Sequence, residues 1–116
     1  MIFENQGDLE RETKAIELFV SMFKGTYQKL SQLDIDFKVF SEENALIAYV
    51  EVKGRNKDMS NAYPLPISLE KIAKLTGKRL NPVVIWACND GIIYGKVYEL
   101  QGKVKWGGRP PHFTFP

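Results

Sequence analysis

Residues 45–53 read ALIAYVEVK, and this run constrains the fold more than any other part of the chain. In an extended segment successive side chains point to opposite faces. Val50 and Val52 then share one face, while Ala45, Ile47 and Tyr49 share the other, continued there by Glu51 and Lys53. A strand apolar on both faces must be covered on both. The chain therefore needs layers packed on each side of a sheet, and Glu51 and Lys53 extend a largely buried face. A carboxylate and an ammonium withdrawn from water are costly unless they are paired or bind something charged. A plain Glu–Lys pair at the strand end, solvated by the following loop, is the alternative.

The neighbouring segments supply the rest of the sheet. Residues 8–30 have helical periodicity, with Ile16, Phe19 and Phe23 on one face and Gly25 as a candidate break. Residues 33–40 alternate apolar and polar, and SEEN at 41–44 is turn-like, so 33–40 and 45–53 are expected to pair as an antiparallel hairpin. Residues 54–66 read as a loop. Ser68 caps a short helix with Leu69, Ile72 and Ala73 facing inward and Gly77 as its stop. Pro82 opens the doubly apolar strand VVIWAC, Asn89-Asp90-Gly91 makes a hairpin turn, and IIYGKVYEL returns.

The order is α-β-β-α-β-β. It predicts an α/β domain over residues 1–102 with a central mixed four-stranded sheet flanked by helices. Residues 103–116, basic and aromatic with Gly and Pro, are expected to form an irregular tail.

With 116 residues the chain suits one domain, and a single cysteine and a single histidine exclude a disulfide framework, a Cys-rich zinc site and a His-pair metal site. Neither a membrane-length apolar run nor a basic, apolar leader is present, so the expectation is an intracellular protein without a membrane partner. Residues 1–50 carry five Lys/Arg against nine Asp/Glu, and residues 51–116 carry eleven against five. Surplus acid can hold a cation, and surplus base can serve a polyanion.

If the SEEN turn closes symmetrically, residues whose numbers sum to 85 face one another, which sets Asp34 opposite Glu51 and Asp36 one diagonal step away. A slip of two residues sets Asp36 opposite instead. On the first helix Glu12 falls in line with Ile16, Phe19 and Phe23; its alternative is a first-turn glutamate that reaches solvent. Carboxylates gathered in a half-buried place imply a cation between them or a shared proton. Hard oxygen ligands suit Mg2+ or Mn2+, and a lysine beside the ion can orient an attacking water. Metal-assisted phosphodiester hydrolysis uses those parts.

These residues resemble the PD-(D/E)XK nuclease superfamily: Asp36 in LDIDFKVF, then Glu51-Val52-Lys53 in AYVEVKGR, with Glu12 in the preceding ERETKAIELF helix. They are most similar to its small Holliday-junction-resolvase-like and phage- or prokaryote-type endonucleases. The resemblance implies a restriction-endonuclease-like core and a Mg2+-dependent endodeoxyribonuclease acting on DNA, with branched or structured DNA among its substrates and RNA left open. It selects Asp36 over Asp34, because the family's aspartate precedes a large apolar residue. Asp36 and Glu51 would ligate the metal, together with the Val52 carbonyl; Lys53 would position the water, and Glu12 would hold a second metal or a coordinated water. Small members often act as homodimers. Arg55 and Lys57 would touch phosphates, and Lys71 and Lys74, on the outer face of the second helix, form a candidate phosphate-tracking stripe. A solvated loop explains Arg55 and Lys57 equally well, and a solvated helix face explains Lys71 and Lys74 better than phosphate tracking does. Two other readings stand beside the enzyme: a nucleic-acid-binding or assembly protein that keeps the fold without turnover, and an unrelated α/β interaction domain.

Overall fold

The computed structural model describes residues 6–30, 37–77, 80–99, 103–107 and 109–115. Helix α1 (Gln6–Ser21) is followed by strands β1 (Thr26–Lys29), β2 (Phe37–Phe40) and β3 (Leu46–Gly54). Next come β4 (Leu65–Ser68), α2 (Leu69–Thr76), β5 (Pro82–Ala87) and β6 (Ile92–Lys96), and then β7 (Lys103–Gly107) and β8 (Arg109–Phe115). Five strands form a mixed sheet in the order β1-β2-β3-β5-β6, in which only β3 and β5 run parallel. A second sheet has the order β4-β8-β7.

The first helix is shorter than its periodicity predicts. Lys24 turns left-handed at φ 58°, and the Gly25 N–H closes back on the Val20 carbonyl at 2.9 Å, which ends the helical ladder. The chain then extends as β1 against β2, making the main sheet five-stranded where four strands were expected. Residues 103–116 differ more: the expected irregular tail instead contributes β7 and β8, and β4 forms at the end of the expected 54–66 loop to pair with β8.

Two apolar layers cover the main sheet. Ala15, Ile16, Phe19 and Val20 of α1 pack on Phe37, Val39, Ala48, Val50, Val52, Val83 and Ile85. On the other side Leu75 of α2 and Leu65 and Ile67 of β4 pack with Val84, Trp86 and Cys88. Every residue of β5 is buried, as its doubly apolar sequence requires. The α2 face is rotated from the expected one: Leu75 is buried, whereas Ala73 is exposed.

Candidate active site

Strand β3 brings both layers to one point. Its valines, Val50 and Val52, enter the α1 layer, and Tyr49 packs in the α2 layer. By strand alternation Glu51 and Lys53 share the Tyr49 face. Parallel pairing sets Glu51 beside Val84 and Lys53 beside Trp86. Glu51 is 2% exposed, the only buried charged side chain among the described residues.

The cation that meets it comes from α2. The Lys71 ammonium contacts Glu51 Oε1, although the Lys71 side chain is 54% exposed. Ser68 makes this reach possible: its hydroxyl accepts the Lys71 backbone N–H at 3.2 Å and so caps the first turn of α2. Ser68 is also the last residue of β4, where it pairs with His112 of β8. The second sheet thus anchors the helix that delivers Lys71. Lys71 does not lie on a purely outer face as the sequence suggests. Leu75, four residues on and buried, shares its side of the helix, and centring the apolar face on Leu75 rather than Ala73 turns Lys71 toward the sheet.

Burial pushes the Lys53 ammonium below the ordinary lysine range; Lys71 adds to the push, Glu51 opposes it, and Arg55 adds a smaller contribution. Among the described residues, Glu51 thus has the Lys71 ammonium against its carboxylate and the Lys53 ammonium two residues along the strand.

Arg55 itself fastens the following loop, donating from Nε to the Ala62 carbonyl at 2.9 Å and from Nη2 to the Pro64 carbonyl at 3.2 Å. Lys57 is exposed in that loop. Lys74 is exposed on α2 and lies 3.6 Å from Glu70 Oε1.

The β2–β3 register follows the slipped alternative. Phe37 pairs with Val50, Lys38 with Tyr49 and Val39 with Ala48, before a bulge shifts Phe40 to Leu46. Asp34 and Asp36 lie outside the described residues, and among those described no group of three His, Cys, Asp or Glu side chains could hold a metal ion. Glu12 is mostly covered, as its place on the apolar stripe of α1 suggests, and its Oε2 lies 3.5 Å from the Lys29 ammonium of β1. Lys29 pairs across the strands with Phe37 and holds its ammonium 5.0 Å above that ring. Glu12 thus lies on the α1 side of the sheet near Phe37, whereas Glu51 shares the Tyr49 face on the α2 side.

A feature that the sequence reading missed lies beside α1. A cavity of about 380 Å³ opens between Glu10, Arg11 and Lys14 of α1 and Cys88 and Asn89 after β5. Arg11 also lies against Gly54, where a Cβ would stand 3.3 Å from its Nη1. Glu10 and Lys14 are exposed on the helix, so periodicity marks them only as solvated, and the β5 turn that faces them is distant in sequence. Among the described residues no helix is long and apolar enough to cross a membrane.

The family described as "Phage putative PDDEXK endonuclease" matches residues 1–110. Among solved structures, that of Hjc, a Holliday junction resolvase from Archaeoglobus fulgidus, is similar in fold with a TM-score of 0.61. Sequence identity with it is 13%, over 91% of this chain and 86% of the other. No curated protein matches the chain.

Proposed function

The chain belongs to the phage PDDEXK endonuclease family, and on that premise we propose that this nuclease is divalent-metal-dependent and hydrolyses phosphodiester bonds of DNA. Branched DNA is the favoured substrate class, because the fold is shared with a Holliday junction resolvase. One observation carries the reading. Glu51 of the E-V-K run is withdrawn from water, with Lys71 against its carboxylate and Lys53 two residues along the same strand. An ionised, shielded carboxylate is the donor that a hard divalent ion requires.

In this reading Asp36, Glu51 and the Val52 carbonyl hold Mg2+ or Mn2+, and Glu12 serves a second ion or a coordinated water. Support for Asp36 is its place in the sequence directly before Phe37, whose partner Val50 directly precedes Glu51. When bound, the ion supplies Lewis-acid stabilisation of the charge that builds on the scissile phosphate. Lys53 orients the attacking water, and burial eases the loss of its own proton, so that its amine can accept one. The water oxygen then bonds to phosphorus as the bond to the leaving sugar oxygen breaks. Lys57 and Lys74, both exposed, are assigned to flanking phosphates, while Arg55 holds the loop that carries Lys57. A homodimer would present one such site to each strand.

The test is cleavage of supercoiled plasmid, linear duplex, four-way junction and RNA with Mg2+ or Mn2+. The wild type is expected to cut DNA. Lys53→Ala and Glu51→Gln are expected to lose cutting while keeping a native circular-dichroism spectrum. Equal cutting by wild type and both variants would reject the site, and light scattering reads the dimer.

A further inference from the structure

A divalent ion at Glu51 meets a cation already there. Lys71 supplies that cation from a different element, and the two lysines of the site differ in how they are held. Lys53 is half-buried on the central strand β3, paired along β5. The Lys71 side chain is 54% exposed and springs from the first turn of α2. A flexible, solvent-reaching stem can withdraw its ammonium into water at little cost, whereas an ammonium fixed on a buried strand cannot. A buried carboxylate, for its part, requires a positive partner whenever no other is bound.

We propose that Lys71 is the resident counter-ion of Glu51 and that a divalent ion binds Glu51 by displacing it. Lys71 occupies Glu51 Oε1 in the metal-free protein, and it weakens metal affinity by competing for that oxygen. It is a positioning residue that sets how much metal the nuclease needs. The inference rests on the preceding reading of Glu51 as a metal ligand.

Isothermal titration of the full chain with MnCl2 alone tests it, without DNA and without turnover. Lys71→Met keeps the aliphatic stem and removes the charge, and it is expected to bind Mn2+ about tenfold more tightly than wild type. Lys71→Arg keeps the charge and should match wild type. Lys71→Gln keeps an N–H donor for Glu51 and serves as the uncharged variant if the methionine fails to fold. A merely structural lysine would lower metal affinity or leave it unchanged on removal, so either result with folded Lys71→Met or Lys71→Gln overturns the proposal. Glu51→Gln separates the two claims. If it binds Mn2+ as wild type does, or if no variant binds at all, Glu51 is not a ligand and the underlying reading falls as well. If Glu51→Gln abolishes binding but Lys71→Met does not strengthen it, only the counter-ion role falls.

Discussion

The indole N–H of Trp86 donates to the Pro66 carbonyl at 2.9 Å, joining the fully buried strand β5 to β4. Pro66 is two residues before Ser68, so this bond holds the strand whose end caps α2 and places Lys71 on Glu51. Trp86→Phe removes the donor and leaves a covered carbonyl. Chemical unfolding should show a loss of about 1–3 kcal/mol from the lost bond. An unchanged unfolding midpoint would mean that β4 is held by its pairing with β8 alone.

Ser68→Ala deletes the hydroxyl that accepts the Lys71 N–H. The expected loss is about 1 kcal/mol of stability in urea melts. Ser68→Asp, which keeps an acceptor, should restore most of it.

Leu75 and Ala73 distinguish the observed helix face from the one expected on sequence. Leu75 is fully buried, so Leu75→Ala should cost about 2–5 kcal/mol, whereas the exposed Ala73→Ser should stay within about 0.5 kcal/mol of wild type. Thermal melts of the two variants decide it; similar losses would mean that α2 is rotated from the structure.

Burial pushes the Cys88 thiol above its ordinary value of 9.0; Asp90 adds to the rise, Arg55 opposes it, and Asp58 adds a little more. The folded protein therefore keeps this proton where the unfolded chain has lost it. The associated stability is complete below pH 9.0 and is lost as pH rises through the folded value. At pH 8 the folded thiol should react with a disulfide reagent more slowly than the urea-unfolded chain. Cys88→Ala should flatten the decline in unfolding midpoint above pH 9. Equal reaction rates for folded and unfolded protein would contradict the shift.

Mn2+ should raise the melting temperature of the wild type, corresponding to about 2.7 kcal/mol at about a hundred times its Kd. Under the proposed ligand set, Asp36→Asn should abolish the rise and Asp34→Asn should retain it. The opposite outcome would transfer the ligand role to Asp34.

Burial of Glu51 is legible in ALIAYVEVK because a strand apolar on both faces admits no wet side. The register is not legible by symmetry, and the reason lies in the turn. The Ser41 N–H bonds the Ala45 carbonyl at 2.8 Å, and Asn44 adopts a left-handed φ of 67°, which asparagine tolerates. That closure adds one residue to the symmetric fold-back. The bulge that sets Val39 against Ala48 but Phe40 against Leu46 adds another. The two irregularities together make the two-residue slip. Strand β1, TYQK, is short and mostly exposed, so neither propensity nor alternation announces it. Strand β8 carries Pro110 and Pro111, which argue against a strand in isolation. Its pairs with β4 run from His112 to Phe115, beyond both prolines, and its register with β7 shifts between Lys105 and Gly107. Lys71 was unreadable for a different reason, because its partner lies 20 residues away on another element.

The double grip of Arg55 on the Ala62 and Pro64 carbonyls makes the chain between them a closed ring, sewn shut beside the strand that bears Glu51 and Lys53. Residues 56–61 are pinned a second time from the far side, the Asn89 N–H bonding the Lys57 carbonyl at 3.0 Å and the Met59 N–H bonding Asp90 Oδ1 at 2.8 Å, so this rim is a rigid shelf over the reactive groups rather than a free flap.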